Sequence, residues 1–155
     1  KKFICVEASP INFLKLNAIS SKLPQYNEYN LINKAISYNS KKEISFFHSS
    51  TNDGKIINQN KNLSKRKNIF NIKTITLSSL LTEFKIKENY TLIADIEGFE
   101  SDIFYKDELA LNNCKLIIIE IENTKFISID QQIKMILNLG FLMVERYGNV
   151  IVFEK

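Results

Sequence analysis

Tyr90-Thr91-Leu92-Ile93-Ala94-Asp95-Ile96-Glu97-Gly98-Phe99-Glu100 runs from an apolar segment into an acid, a second acid, a glycine and a third acid. The apolar part reads as a buried strand, and the carboxylates and glycine as the turn at its C-terminal end. Ligands of open α/β sheets lie outside the carboxyl ends of the strands, so a site is expected at this turn. Gly98 permits a tight turn. Phe99, Ile103, Phe104 and Leu109 suggest a helix beginning near Glu100, whose charge would be favoured in a first helical turn.

Working outward, Lys115 to Ile121 is the other strongly hydrophobic run. Neither it nor Tyr90 to Ile96 alternates polar with apolar residues, as expected of strands covered on both faces, and together they predict the sheet centre. Phe3 to Glu7 is a short apolar strand. Ser9-Pro10 supplies an N-cap and a first-position proline for a helix whose face includes Ile11, Leu14 and Ala18. Tyr29 to Tyr38, Glu43 to Phe47 and Lys73 to Leu77 read as strands, and the last leads into Leu77, Leu80, Leu81 and Phe84 at helical spacing. Ser128-Ile129-Asp130-Gln131 matches a capping box ahead of Ile133, Ile136 and Leu137, with Gly140 as the stop. Phe141 to Arg146 and Val150 to Glu154 flank Gly148-Asn149, a two-residue hairpin signal. Strand-like and helix-like segments thus alternate, which predicts an α/β fold with a mostly parallel sheet. Residues 48–72 lack a clear period and read as a mobile surface loop, or more sharply as a lid over a substrate. There is no internal repeat and no sign of a domain boundary.

The chain has 155 residues and 45% hydrophobic content. That length predicts one domain, which should bury about two thirds of the unfolded chain's surface. Its formal charge of +4 comes from 21 basic and 17 acidic residues mixed along the sequence. A nucleic-acid footprint would be clustered, so nucleic acid is not an expected partner. No apolar run approaches the ~20 residues of a membrane-spanning helix, and no signal peptide precedes Lys1. A soluble cytoplasmic protein is the expectation. Cys5 and Cys114 lie in strand-like runs; with other strands between them they would sit at least two steps of ~4.8 Å apart, beyond disulfide reach. Both read as buried thiols. Two cysteines and one histidine are too few for an expected metal site.

Among the residues able to carry chemistry, Glu7 ends its strand just before a helix, where a carboxylate is also favoured by the helix dipole alone. Asp95 at the tip of the proposed central strand reads equally as a functional acid or a structural one on spacing alone. Glu120 ends the next strand, and Glu122 reads as solvated. His48 has the right chemistry for a general base at neutral pH. It opens a polar loop, shows no identifiable partner, and is read as having no catalytic role.

Three segments carry a resemblance. Asp95-Ile96-Glu97-Gly98-Phe99-Glu100 is similar to the pattern (Lys)-(Ile)-Asp-Val-Glu-Gly-Ala-Glu of FkbM-type S-adenosylmethionine-dependent methyltransferases, which follows a central strand of their sheet. Ala94 stands where isoleucine or a similar residue is usual, and Ile93 where lysine is usual, so no role of that lysine carries over. Phe3-Ile4-Cys5-Val6-Glu7-Ala8-Ser9-Pro10 resembles the family segment Val-(Tyr)-Ala-Phe-Glu-Pro-x-Pro, with Ala8 replacing the proline after the acid. Ile117-Ile118-Ile119-Glu120 resembles the family's next strand, which also tends to end in Glu.

The resemblance implies a Rossmann-like methyltransferase sheet, mostly parallel with a C-terminal antiparallel hairpin, in a single domain over residues 1–155. It also implies N-terminal incompleteness. The family's first strand and its Asp-x-Gly-Ala-x-x-Gly turn, which supplies backbone N–H groups to the cofactor, have no counterpart here. Either the chain is a fragment of a longer protein, or Phe3 to Glu7 pairs directly with Tyr90 to Ile96. The implied activity is S-adenosylmethionine-dependent O-methylation of a hydroxyl on a sugar or other small metabolite. In that comparison the two oxygens of Glu7, with Ala8 beside it, accept the ribose hydroxyls of the cofactor. Asp95 faces the cleft holding the transferable methyl group, contributes to the cofactor site, and orients and deprotonates the acceptor hydroxyl. Glu97 favours the cationic sulfonium or holds substrate, and Glu120 lines the substrate side. Two other readings compete. A nucleotide-dependent oxidoreductase also uses a strand-ending acid for ribose, and a non-catalytic module could hold an anion or nucleic acid with Lys61, Lys65, Arg66 and Lys67.

Overall fold

The first strand, β1 (Lys2–Val6), the helix α1 (Pro10–Ser20) and β2 (Glu28–Ile32) form a strand-helix-strand unit whose two strands are parallel, Lys2 opposite Glu28 and Val6 opposite Ile32. The helix starts where the sequence predicts. Ser9 is extended, its Oγ accepts from Asn12 N at 3.2 Å, and Pro10 opens the first turn. The predicted core face of α1 is not realised, because the helix buries no residue and Leu14 is 68% exposed. Ile11, Phe13, Leu14, Leu16, Ala18 and Ile19 are spread around the axis, so the helix lacks one apolar stripe to bury. Across the two strands Phe3 stacks on Tyr29 with ring centroids 5.2 Å apart.

This is a computed structural model, and it describes residues 1–24, 28–48, 54–57 (backbone), 68–96 and 98–155. The described chain falls into two compact units, Lys1–Ile75 and Thr76–Lys155.

The first unit continues as β3 (Ala35–Ile36), β4 (Glu43–His48), β5 (Gly54–Ile57) and β6 (Ile69–Ile75), with sheet order β3-β6-β4-β5. Three differences from the sequence expectation appear here. The single strand predicted over Tyr29 to Tyr38 is broken at Asn33, whose side-chain Nδ2 donates to Glu7 O at 2.8 Å and Ala8 O at 3.3 Å. The strand predicted from Lys73 begins at Ile69, and β5 also falls within 48–72, so that segment is not loop throughout; residues 49–53 and 58–67 lie outside the described residues. Finally, β4 runs antiparallel to both β5 and β6, and only β3–β6 is parallel. Parallel neighbours need a crossover of about a dozen residues, whereas only five residues of sequence separate β4 from β5. The fold is mixed α/β, with small mixed sheets in place of one mostly parallel sheet. β1 pairs with β2 in a two-stranded sheet. Ala35, Ile44, Phe46 and Ile72 form the core of this unit, and Ala8 and Phe70 pack against it.

The second unit contains α2 (Leu77–Glu83), β7 (Tyr90–Ala94), α3 (Glu100–Lys106), a 3₁₀ helix (Glu108–Asn113), β8 (Cys114–Glu120), α4 (Ile129–Asn138), β9 (Leu142–Tyr147) and β10 (Val150–Glu154). Its sheet order is β7-β8-β10-β9. β7 and β8 are parallel with α3 as crossover, and β10 is antiparallel to both β8 and β9. The closing hairpin is as predicted, turning at Gly148, whose φ is +61°. β8 is the interior strand expected, with Ile117 and Ile119 fully buried. β7 is an edge strand of this sheet rather than part of its centre, and Ile93 is 73% exposed. Ile103, Leu111, Ile121, Ile136, Phe141, Ile151 and Phe153 complete the core. Each such side chain contributes about 1.5–3 kcal/mol of burial. Among the described residues no helix is long and apolar enough to cross a membrane.

Candidate functional site

In the second unit the parallel register sets Ala94 opposite Ile119, so Asp95 follows β7 at the level where Glu120 ends β8. Neighbouring strands lie ~4.8 Å apart, and two of the predicted acids therefore share the C-terminal edge of one strand pair. Asp95 is exposed and Glu120 half-buried. The turn after Asp95 and the loop after β8 approach each other as well. A Cβ built on Gly98 would lie 3.5 Å from Thr124 Cγ2. That loop is shaped by Thr124, whose Oγ1 accepts from Ile127 N at 3.0 Å. It is tied to α4 through the fully buried Gln132, which donates to Glu122 O at 2.7 Å. Glu97 lies outside the described residues.

Gly98 has φ +91°, the left-handed region that favours glycine, as its place in the turn predicts. Glu100 departs from the sequence expectation. It is in the first turn of α3, yet it is not a solvated helix-end charge: it is 1% exposed and its Oε1 accepts from Ile96 N at 2.9 Å, back across the turn. Burial pushes its carboxyl above the usual carboxylate range, backbone N–H groups including that of Ile96 oppose this, and the charge of Asp95 adds to the rise.

In the first unit Glu7 ends β1 half-buried, and the backbone around it is fixed from several directions. Glu7 N donates to Ile32 O at 3.0 Å, Asn33 holds Glu7 O, and Ser9 N donates to Glu7 Oε1 at 2.7 Å. Ser9 Oγ in turn lies 2.9 Å from His48 Nδ1, with Ser9 1% and His48 6% exposed. His48 thus has a partner that its local sequence does not reveal, 39 residues away. Ala8 serves the core of its unit. Asn33, Ser9, His48 and Gln132 are the polar residues that sequence reading missed. Ser9 was visible only as a cap, and the others carry no local signal.

Cys5 is half-buried and Cys114 buried; both are free, and burial pushes both thiols up. Burial and the neighbouring Cys114 raise Tyr90 as well, and its hydroxyl donates to Ala110 O at 2.7 Å. No group of three or more His, Cys, Asp or Glu side chains is placed to hold a metal among the described residues. The basic cluster Lys61, Lys65, Arg66 and Lys67 lies outside them.

A strand ending in an acid, a glycine turn into a helix, a parallel neighbour ending in a second acid and a closing antiparallel hairpin define an α/β domain with an acidic strand edge. The chain belongs to the FkbM methyltransferase family: the Methyltransferase FkbM domain matches residues 1–150. No curated protein and no solved structure matches the chain.

Proposed function

We propose that this methyltransferase-family chain uses S-adenosylmethionine to methylate a hydroxyl of a sugar or another small metabolite, as a methyltransferase-like domain of Rossmann-like kind. The observation that carries the reading is the pair Asp95 and Glu120 at the C-terminal edge of β7 and β8 in a chain whose FkbM domain match covers both units. The donor set fits such a cofactor, because a carboxylate at a strand end accepts from both hydroxyls of a vicinal diol and Glu7 is held there by Ser9 and Asn33. S-adenosylmethionine, when bound, supplies the electrophilic methyl group. Asp95 would orient the acceptor hydroxyl and take its proton as the hydroxyl oxygen bonds the methyl carbon and the carbon–sulfur bond breaks, leaving S-adenosylhomocysteine; Glu120 would hold the acceptor from the neighbouring strand, and Glu97 would favour the cationic donor.

Calorimetric titration of S-adenosylmethionine, S-adenosylhomocysteine and NAD tests this, on the 155-residue chain and on a form extended at its N-terminus. The proposal expects the first two ligands to bind at least one of these forms, with NAD silent. Binding of NAD alone, or of none of the three to either form, would refute it.

A further inference from the structure

We propose that Glu100 is a positioning residue: its buried carboxyl holds the Asp95–Phe99 turn in the shape that presents Asp95 to the acceptor hydroxyl. The inference rests on the proton-acceptor reading of Asp95 and goes beyond it by naming the group that sets the geometry.

Three observations carry it. Glu100 reaches backward out of its helix, so that Oε1 accepts from Ile96 N at 2.9 Å, the amide directly after Asp95. A helix-end charge has no need to do this, and α3 already has one in Asp102, which pairs with Lys106 at 3.0 Å. Next, Glu100 is 1% exposed while its second oxygen, Oε2, has no hydrogen-bond partner among the described residues. A buried carboxyl with one oxygen unsatisfied is a poor choice for stability, and an apolar side chain of the same size would avoid the cost. Last, the turn it braces passes through Gly98 at φ +91°, and Phe99 at the N-cap of α3 offers no side-chain bond to hold the helix start. The Glu100 carboxyl is thus the side-chain brace seen between the start of α3 and the residue following Asp95. The displacement of Glu100 from stability to placement is the kind of trade expected beside a reacting group.

The test compares Glu100→Met with Glu100→Gln. Both are neutral, so the charge change cancels between them. Only glutamine retains an oxygen acceptor for Ile96 N–H. Hydrogen exchange and backbone chemical shifts of residues 95–99, the Asp95 carboxyl carbon shift, and the thermal midpoint are measured on each. In Glu100→Met the Ile96 amide should lose protection by about 10-fold or more, shift changes should concentrate at residues 95–99 and the Asp95 carboxyl, and the midpoint should stay at or above wild type. Glu100→Gln should restore the protection and the shifts. Unchanged Ile96 protection in Glu100→Met, or changes spread through the unit together with a lowered midpoint that Glu100→Gln fails to reverse, would overturn the proposal. Asp95→Asn separates the two claims: it should leave Ile96 protected, and if it retains methyl transfer the proton-acceptor reading fails while the brace stands.

Discussion

Gly98 is the residue at which backbone conformation and candidate chemistry meet. At φ +91° a side chain is strained, while the space is open enough that an added Cβ meets only ordinary contact with Thr124. Gly98→Ala should therefore cost about 1–3 kcal/mol by conformational strain, read as a lowered urea midpoint with unchanged slope. Glu100 makes a pH-dependent prediction. Its folded-state affinity for a proton is raised above the ordinary value of 4.5, so the folded state binds more protons than the unfolded one. Stability from this group is present below that value and is lost as pH rises through the raised one. Glu100→Gln lacks this loss. Its stability relative to wild type should grow as pH rises from about 4.5 and then level off, measured by urea unfolding across the range; a gap that narrows with rising pH would contradict this. The positions of both residues were legible in the sequence. Gly98 was legible in its role too, since a glycine in a strand-to-helix turn implies positive φ. The inward fold of the Glu100 side chain was not, because spacing fixes where a carboxyl starts and packing decides where it goes. His48 failed for a related reason: its partner is Ser9, 39 residues away.

Helix starts were the most readable elements because their bonds close within a few residues. Ser128 and Gln131 form the reciprocal box expected of them, with Gln131 N donating to Ser128 Oγ at 3.3 Å and Ser128 N to Gln131 Oε1 at 2.9 Å. Ser128→Ala should cost about 1 kcal/mol. Ser9→Ala should cost more, about 1–3 kcal/mol, since it removes a cap and also strips the buried His48 of its partner. Equal midpoints for the two variants in thermal unfolding would contradict the network at Glu7. Strands read less well. Tyr29 to Tyr38 has the composition of one strand, but Asn33 bonds to the carbonyls of Glu7 and Ala8 and divides it into β2 and β3. Ile69 to Ile72 sits in polar surroundings that hide its pairing with β4. α1 carries a good cap and abundant apolar residues but no single apolar stripe, so periodicity named a face that is not buried.

At the scale of the chain, the alternation of strands and helices conveyed the α/β class and the closing hairpin. It did not convey strand direction in the first unit, where β4 runs antiparallel to both its neighbours, nor the edge position of β7. The interior of the second unit rests on side chains such as Phe153, 0% exposed on β10. Phe153→Ala should cost about 3–5 kcal/mol, enough to lower the unfolding midpoint of that unit sharply. The central claim is that S-adenosylmethionine is used at the C-terminal edge of β7 and β8, beside Asp95 and Glu120. Photocrosslinking with methyl-labelled S-adenosylmethionine, followed by peptide mapping, tests it most directly: the account predicts label in the segments 90–100 or 115–124, removed by excess S-adenosylhomocysteine and unaffected by NAD. Label confined to other segments, or label that S-adenosylhomocysteine fails to displace, would contradict it.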